Sequence, residues 1–372
     1  MLSERLRFRL LGPLRMTIDG IEQGLGGPRQ RAVLAMLVIN RRRAVSVEAL
    51  AQAVWGEELP SDIRAGMQVV ISTLRKLLRD AGIDPRAVLA TVAPGYRLTI
   101  DDRSCDLGRF LAEKTLALRC MADRRFDEAT GHFTAALDEW HGPALADLRE
   151  LSFADSFATA LEEERLIALT ARAEAEIARG RAQEITPELM TLAAEHPLRE
   201  PLWCQLISAL YLCGRQSDAL GACRQLRSAL ADELGIDPSR QLQELEGRIL
   251  RQEPLPAQEA AAATAAVAVT IIDERSPSAT AQLRDDTGKV IRLGSTALCI
   301  GRLPDNDLVL SHGKVSRHHA VIVDTGLSFV IRDLRSSNGV FVHGERISDS
   351  AVLSDGDEIR IGTSDFVFEL VE

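Results

Sequence analysis

The spacing of apolar residues changes twice along this chain of 372 residues, and these changes constrain the fold more than any other feature. The first 104 residues mix strand-like alternation with helical spacing, residues 105–252 follow helical spacing, and residues 282–372 consist of short β-rich runs. A chain of this length exceeds one ordinary domain. The sequence therefore predicts three domains, with residues 253–281, rich in Pro, Ala and Ser, as a linker.

The N-terminal segment begins with a strand whose Leu6, Phe8 and Leu10 fall on one face. The elements predicted after it are helices over 30–40, 46–56 and 61–80, the last capped by Ser61, and two short strands over 88–100. This order of strands, three helices and a terminal hairpin is typical of a winged helix-turn-helix.

The third predicted helix, residues 61–80, separates apolar from polar side chains. Its core stripe is predicted at helical spacing to be Met67, Val70, Leu74, Leu77 and Leu78. Another face carries side-chain types that contact base edges and phosphates: Arg64, Gln68, Ser72, Arg75 and Arg79. Arg97, on the terminal hairpin, is a further candidate for a phosphate contact. The alternative is an ordinary solvated helix face.

The distribution of charge bears on that choice. Residues 1–104 hold 16 Lys and Arg against 11 Asp and Glu, which gives +5 (16 − 11), and the whole chain carries −10, which leaves −15 for the remainder. Whole-chain charge argues against nucleic-acid binding, but the charge of the N-terminal segment permits it. Helix order, local charge and the terminal hairpin together favour DNA binding.

Residues 105–252 are predicted to be helical pairs of roughly 34 residues, the spacing of tetratricopeptide-like repeats. The clearest pair, residues 202–226, contains the small residues Ala219, Gly221 and Ala222, which allow close packing. We expect Trp140, Trp203 and Leu210 to pack between helices. The Ala-rich part of the linker could also form some helix.

Several classes of protein are disfavoured by composition. The six cysteines contain no CxxC pair, which argues against a zinc ribbon or a disulfide framework and predicts reduced thiols in a cytoplasmic protein. No stretch reaches about 18 consecutive apolar residues, so no membrane insertion is expected. We expect no cofactor and no bound metal.

The first two segments resemble the SARP regulators, winged-helix transcription factors with a bacterial transcriptional activation domain. The matching stretches are "GGPRQRAVLAMLV", "ALAQAVWGEELP", "APGYRL" and "LREPLWCQLISALYLCGRQSDALGACRQLR". The third segment resembles a forkhead-associated (FHA) domain through "IGRLPDNDLVL", "VSRHHA" and "RSSNGVFVHGERI". Together they resemble the EmbR-like regulators of actinobacteria.

The resemblance implies a winged helix-turn-helix, then an all-α tetratricopeptide-like activation domain, then a β-sandwich FHA domain. In that family the FHA domain binds phosphothreonine on Ser/Thr protein kinases, and the protein is itself a kinase substrate. The N-terminal part activates promoters, which implies promoter DNA and RNA polymerase as partners.

The resemblance also assigns residues to the phosphothreonine site. Arg302, Ser316 and Asn338 match the family's binding residues, and Arg317 and Ser337 occupy flanking positions. Arg302 suits a charge-assisted hydrogen bond to phosphate, and Asn338 suits contacts with the peptide main chain. The structural positions of the family are Gly301, His319 and Gly339.

Three alternatives remain beside a phosphorylation-responsive activator. His318 and His319 are adjacent and could suggest metal binding, but neighbours on a strand point to opposite faces. A Ser316–His319 nucleophile pair lacks a nearby orienting acid, and no intact catalytic motif supports an enzyme. The third alternative is a kinase-binding adaptor with weak DNA binding, which Gly66 inside the third helix motivates because glycine disfavours helices.

Overall fold

The computed structural model describes residues 5–55, 62–274, 280–293, 297–303, 306–325, 328–334, 336–347 and 350–371. The chain divides into two compact units. One unit comprises residues 1–112, 138–164 and 275–372, and the other comprises residues 113–137 and 165–274. The predicted fold class is confirmed: an N-terminal winged helix, a helical middle segment and a C-terminal β-sandwich.

The N-terminal segment contains two small sheets and four helices. Its elements are β1 (Leu6–Arg9), β2 (Arg15–Ile18), β3 (Ile21–Glu22), α1 (Pro28–Ile39), β4 (Ala44–Ser46), α2 (Val47–Trp55), α3 (Ile63–Asp80), α4 (Pro85–Val88), β5 (Leu89–Val92) and β6 (Gly95–Leu98). Leu6, Phe8 and Leu10 are buried, as the alternation predicts. The terminal hairpin gains a third strand, because β4 pairs with β6 in the order β4-β6-β5.

The ends and the core stripe of α3 differ in detail from the sequence prediction. The N-cap is Asp62, whose carboxylate accepts from Ala65 N at 2.9 Å, and the predicted cap Ser61 lies outside the described residues. Ile71 is buried and Leu77 only half-buried, so Ile71 joins the other predicted core residues in place of Leu77. The buried stripe therefore runs closer to 3.6-residue periodicity than predicted.

The middle segment is helical over α5 (Asp106–Ala122), α6 (Phe126–Leu137), α7 (Ser152–Ala178), α8 (Ala182–Glu195), α9 (Glu200–Leu212), α10 (Gln216–Leu234) and α11 (Arg240–Leu250). Helices α9 and α10 form the predicted pair and share a core that contains Trp203 and Leu210, 3% and 4% exposed. Trp140 is also buried and meets Phe110 edge-on, with ring centroids 5.6 Å apart. The three predicted packing residues are thus packing residues.

The segment predicted as a linker, residues 253–281, holds an 18-residue helix, α12 (Ala257–Glu274). Ala261 and Ala265 on this helix are fully buried. Gln258 Nε2 donates to the carbonyl oxygen of Ala178 at 3.1 Å, which attaches α12 to the end of α7. Small side chains let the helices approach closely, so most of the predicted flexible connection is a packed element.

The C-terminal segment is a two-sheet sandwich. Its strands are β7 (Thr280–Asp285), β8 (Val290–Arg292), β9 (Ala297–Gly301), β10 (Leu308–Val309), β11 (Ala320–Asp324), β12 (Phe329–Asp333), β13 (Val340–Val342), β14 (Glu345–Arg346), β15 (Ser350–Leu353), β16 (Glu358–Ile361) and β17 (Ser364–Val371). One sheet has the order β10-β9-β11-β12-β15 and the other β14-β13-β16-β17-β7-β8. Strand β7 begins two residues before the predicted start of this domain.

Apolar side chains from both sheets fill the space between them. Phe329 and Phe368 face each other across this core with ring centroids 5.3 Å apart. The loops after β9, β10 and β12 lie outside this core, at the edge of the sandwich, and they carry the predicted binding residues.

Candidate phosphopeptide and DNA interfaces

Three loops of the sandwich are joined by hydrogen bonds into one edge, here called the rim: residues 301–303, 314–319 and 336–339. Arg302 N donates to the carbonyl oxygen of Ser316 at 2.9 Å, which places the first loop beside the second. Asn338 Nδ2 donates to the carbonyl oxygen of Lys314 at 2.8 Å, which joins the third loop to the second. The rim thus brings Arg302, Ser316 and Asn338 together, although they are far apart in the sequence.

The hydroxyl of Ser316 is oriented by the protein before any ligand arrives. Its Oγ accepts a hydrogen bond from Ser337 N at 3.1 Å. A hydroxyl has one donor hydrogen and two acceptor lone pairs, so this bond leaves the O–H free to donate. The Ser316 hydroxyl is therefore an oriented donor at the rim, and Ser337 orients it through its main-chain N–H.

Arg302 and Arg317 are both exposed at the rim. Within the described part of the chain, no carboxylate is paired with either guanidinium, so both positive charges are available to an anion. Asn338 is exposed as well, and its amide keeps the Oδ1 acceptor and one N–H after bonding to Lys314. These groups are the donors and acceptors that a phosphate and an adjoining peptide main chain require.

His319 holds the rim together from inside. It is fully buried, its Nδ1 accepts from Ser316 N at 3.0 Å, and its Nε2 lies 3.1 Å from the carbonyl oxygen of Gly339. Because Nδ1 accepts, the ring proton sits on Nε2 and donates to Gly339. Both ring nitrogens are engaged, so neither is available to a metal or to activate the hydroxyl of Ser316.

The two glycines of the rim have steric reasons to be glycine. A Cβ on Gly301 would collide with the carbonyl oxygen of Arg317, because the first two loops run close together. Gly339 has φ +77°, a left-handed conformation that glycine adopts without a steric penalty. Both positions therefore fix the paths of the loops.

Sequence reasoning missed the residues that support the rim. Asn306 is 6% exposed, and its Nδ2 donates to the carbonyl oxygens of Leu303 and Arg317, each at 2.9 Å. Ser336 Oγ accepts from Gly339 N at 2.9 Å, and Asp333 accepts from Ser336 N at 2.7 Å. The signal was present as short polar side chains between strands, a composition typical of residues that bond to loop backbone.

The exposed face of α3 carries four of the six residues predicted to contact DNA: Arg64, Gln68, Ser72 and Arg79. The structure adds five exposed residues on the same side of α3 that the sequence prediction left out: Ala65, Val69, Thr73, Lys76 and Asp80. The buried stripe of α3 lies on the opposite side and attaches the helix to the domain. This face therefore presents cations, amide and hydroxyl groups together with the apolar Ala65 and Val69 and one carboxylate at its C-terminal end.

Arg75 does not belong to that face, which corrects the sequence prediction. Its guanidinium donates to the carbonyl oxygen of Leu89 at 2.8 and 3.1 Å and to Thr91 Oγ1 at 2.9 Å, and it lies 5.9 Å from the ring centroid of Tyr96. Three of its five N–H donors are used within the domain, so Arg75 attaches α3 to the hairpin.

Arg97 lies on β6 between the buried residues Tyr96 and Leu98. Because side chains alternate along a strand, Arg97 points away from the core that those two residues enter. It is half-buried, and its Nε is a buried atom with no hydrogen-bond partner among the described residues. The phosphate contact of Arg97 stays a prediction.

Comparison with known proteins identifies the parts of the chain. Residues 23–98 match the family described as transcriptional regulatory protein, C terminal, residues 105–250 the bacterial transcriptional activator domain, and residues 298–362 the FHA domain. The transcriptional regulatory protein EmbR of Mycobacterium tuberculosis is 56% identical over 373 residues, covering 99% of this chain and 96% of that protein. The chain belongs to the EmbR family of transcriptional regulatory proteins.

Two further comparisons concern a solved structure and a second related regulator. A solved structure of M. tuberculosis EmbR in complex with a low affinity phosphopeptide matches with a TM-score of 0.91 at 56% identity and covers 98% of both chains. The transcriptional regulatory protein MoaR1 of M. tuberculosis is 45% identical over 251 residues, 67% of this chain and 81% of that protein. This EmbR-family chain is therefore a transcriptional regulator with a DNA-binding domain, an activator domain and an FHA domain.

Within its first compact unit, this EmbR-family chain has contacts between the FHA domain and the N-terminal parts. Arg43 lies just before β4, and its Nη1 is 3.6 Å from Oδ2 of Asp324 at the end of β11. Thr325 Oγ1 and Ser328 Oγ donate to Glu164 Oε1 at 2.8 and 2.5 Å, and Glu164 is 1% exposed on α7. Asp324, Thr325 and Ser328, beside the adjacent ends of β11 and β12, thus contact both other segments.

No helix in the described part of the chain is long and apolar enough to cross a membrane.

Proposed function

We propose that the chain is a promoter-binding transcriptional activator controlled by Ser/Thr protein kinase signalling. Its FHA domain binds phosphothreonine on a kinase or another phosphoprotein, and its N-terminal domain binds promoter DNA. RNA polymerase is the partner of the activator domain. The protein is not an enzyme and works in the cytoplasm.

The rim is the observation that carries this proposal. A phosphothreonine is a dianion on a peptide, and its recognition needs a charge-assisted donor, a neutral donor and a group that binds main chain. Arg302, Ser316 and Asn338 have these chemistries and are linked by hydrogen bonds between their loops. The related EmbR of M. tuberculosis was solved with a phosphopeptide, which supports the same ligand class here.

The contacts of Asp324, Thr325 and Ser328 support control of the N-terminal domain by the FHA domain. These residues lie at the ends of β11 and β12 that are opposite the rim; Thr325 and Ser328 bond to Glu164, and Asp324 lies beside Arg43. A phosphoprotein that binds the FHA domain more tightly when these contacts are formed, or when they are broken, would shift the equilibrium towards that state by the difference in affinity. Phosphoprotein binding and promoter binding would then be coupled in one chain.

The alternative of a kinase-binding adaptor loses its motive. It rested on Gly66 weakening α3, but Gly66 lies where the ring of Trp55 packs against the helix. Helix α3 runs unbroken from Ile63 to Asp80 through this glycine, so Gly66 does not interrupt the helix on which DNA binding depends.

Calorimetric titration of the full chain with a phosphothreonine peptide and its unphosphorylated twin tests the proposal. We expect binding of the phosphorylated peptide only, weakened roughly 10- to 150-fold in Arg302→Ala and kept in Arg292→Ala, a matched exposed arginine on β8. Equal affinity for both peptides would overturn phosphothreonine recognition. Promoter binding measured with and without the phosphopeptide tests the coupling, and an unchanged affinity for DNA would contradict it.

A further inference from the structure

Val69 is an apolar residue at the centre of a polar surface. It is 65% exposed and lies in the middle of α3, opposite the buried residues of that helix. Single exposed apolar side chains are common on proteins, so exposure alone means little. What distinguishes Val69 is its position in a DNA-binding domain, on a helix whose other solvent-facing side chains are polar except Ala65: Arg64, Gln68, Ser72, Thr73, Lys76, Arg79 and Asp80.

Thr73 extends this apolar feature by one helical turn. Its Oγ1 donates to the carbonyl oxygen of Val69 at 3.0 Å, so the hydroxyl is turned back onto the helix backbone. The methyl group is then the part of Thr73 that remains free. Residues four apart on a helix are neighbours on its surface, separated by about 6 Å along the axis. Val69 and Thr73 therefore form a short methyl strip between polar side chains.

Charge identifies the partner of this strip. Arg64, Lys76 and Arg79 are exposed around it, and none of them is paired with a carboxylate within the described ranges, while the exposed carboxylates Asp62 and Asp80 lie at the two ends of the helix. Three unpaired cations along an exposed helix face favour a polyanion, and duplex DNA admits an α-helix in its major groove. The edges of bases in that groove are polar donors and acceptors except for one apolar group, the C5-methyl of thymine.

We propose that Val69, together with the methyl group of Thr73, contacts thymine methyl groups in the major groove and thereby sets sequence preference at one or two base pairs. The strip's length of about 6 Å corresponds to roughly two base-pair steps of 3.4 Å. This inference rests on the proposed promoter binding and adds to it which base feature is read and by which side chains.

Deoxyuridine substitution tests the contact directly, because deoxyuridine lacks only the C5-methyl of thymine. An operator is first selected from random duplex DNA with the full-length protein. Each thymine of that operator is then replaced singly by deoxyuridine. At one or two positions we expect affinity to fall roughly four-fold, the amount that corresponds to burying one methyl group. Unchanged affinity at every thymine would overturn the inference.

Substitutions in the protein test the same contact. Val69→Ala should lower affinity for the thymine operator about four-fold and should abolish the sensitivity to deoxyuridine at the contacted position. Thr73→Ser keeps the hydroxyl and removes only the methyl, so it should remove sensitivity at a second position within about two base pairs. Val267→Ala is the matched control, since Val267 is 64% exposed on α12, and it should change nothing. Equal losses on thymine and deoxyuridine operators would contradict the contact.

The same experiment separates this inference from promoter binding itself. If the wild-type protein selects no sequence above random DNA, promoter recognition fails and the thymine contact fails with it. If it selects an operator that is insensitive to deoxyuridine, only the thymine contact is overturned. If Val69→Ala keeps full affinity and full deoxyuridine sensitivity but lowers transcription in a reconstituted assay, the strip binds polymerase and the inference is wrong.

Discussion

The rim of the FHA domain and the exposed face of α3 both offer cations and neutral donors to phosphate, but the protein prepares them differently. At the rim, main-chain bonds orient Ser316 and Asn338, and the buried His319 joins two loops. On α3, Arg64 and Arg79 project from a rigid helix with no partner pairing their charges among the described residues. A small anion needs donors held in place, whereas a long polyanion tolerates flexible ones.

We therefore expect phosphopeptide binding at the rim to depend on residues that do not contact the ligand, whereas DNA binding by α3 should depend chiefly on residues that contact DNA. His319→Ala should have the largest effect of all. It leaves Ser316 N and the carbonyl oxygen of Gly339 without partners, and each unsatisfied buried group costs about 1–3 kcal/mol. Melting temperature and phosphopeptide affinity should therefore fall together, as thermal melts and calorimetry would measure.

The neighbouring histidine supplies the control for that experiment. His318 is exposed, and its Nδ1 lies 3.4 Å from Asn306 Oδ1, whereas His319 is fully buried. His318→Ala should therefore lower melting temperature and affinity much less than His319→Ala does. A His319→Ala protein with full stability and reduced affinity would mean that His319 contacts the ligand itself, which would break the distinction drawn here.

Next in size are the direct contacts of the rim. Arg302→Ala, Ser316→Ala and Asn338→Ala should each weaken phosphothreonine binding roughly 10- to 150-fold, the equivalent of one charged hydrogen bond. Arg302→Ala should keep the melting temperature, because its guanidinium is exposed and has no partner within the described residues. A large stability loss in Arg302→Ala would show that this side chain is structural and not a prepared donor.

A smaller effect separates two arginines of α3 that sequence spacing treats alike. If Arg79 neutralises about one phosphate, Arg79→Ala should lower the log–log salt slope of DNA binding by roughly 0.9. Arg75→Ala should leave the slope unchanged and lower the melting temperature, because three of its five N–H donors bond to Leu89 and Thr91. Salt titrations of promoter binding measure both slopes. A reduced slope for Arg75→Ala would restore it to the DNA contacts.

These arginines show how far the sequence predicts the fold and the sites. Residue type and family order located Arg302, Ser316 and Asn338 because the chemistry of phosphate binding restricts the choice. Arg75 was misplaced because helical spacing gives its side of α3 but not the carbonyl of a strand 14 residues later. Asn306 was missed for a related reason, since its bonds to two loop carbonyls exist only after the loops have met.

The same limit applies to secondary structure. The Ala-rich stretch within 253–281 predicted a linker with some helix, and α12 packs there through fully buried Ala261 and Ala265. Alanine has high helix propensity, but only tertiary contacts decide whether such a helix is attached to its neighbours. Long periodic helices such as α3 were predictable to within two residues because their apolar stripe records the same contacts in the sequence.

The smallest expected effect concerns Gly66, the residue that made α3 a doubtful recognition helix. A Cβ at this position would lie 3.4 Å from the Cη2 and Cζ2 atoms of Trp55, an ordinary van der Waals contact. Alanine favours helix over glycine by about 1 kcal/mol, so Gly66→Ala should stabilise the N-terminal domain by up to that amount. DNA affinity should stay the same, because Gly66 faces Trp55 and not the exposed strip of Val69. Chemical denaturation and promoter titration of the variant measure the two quantities. A stabilised variant that binds DNA more weakly would mean that DNA binding needs flexibility at Gly66. Helix α3 would then not act as a fixed scaffold for its exposed side chains.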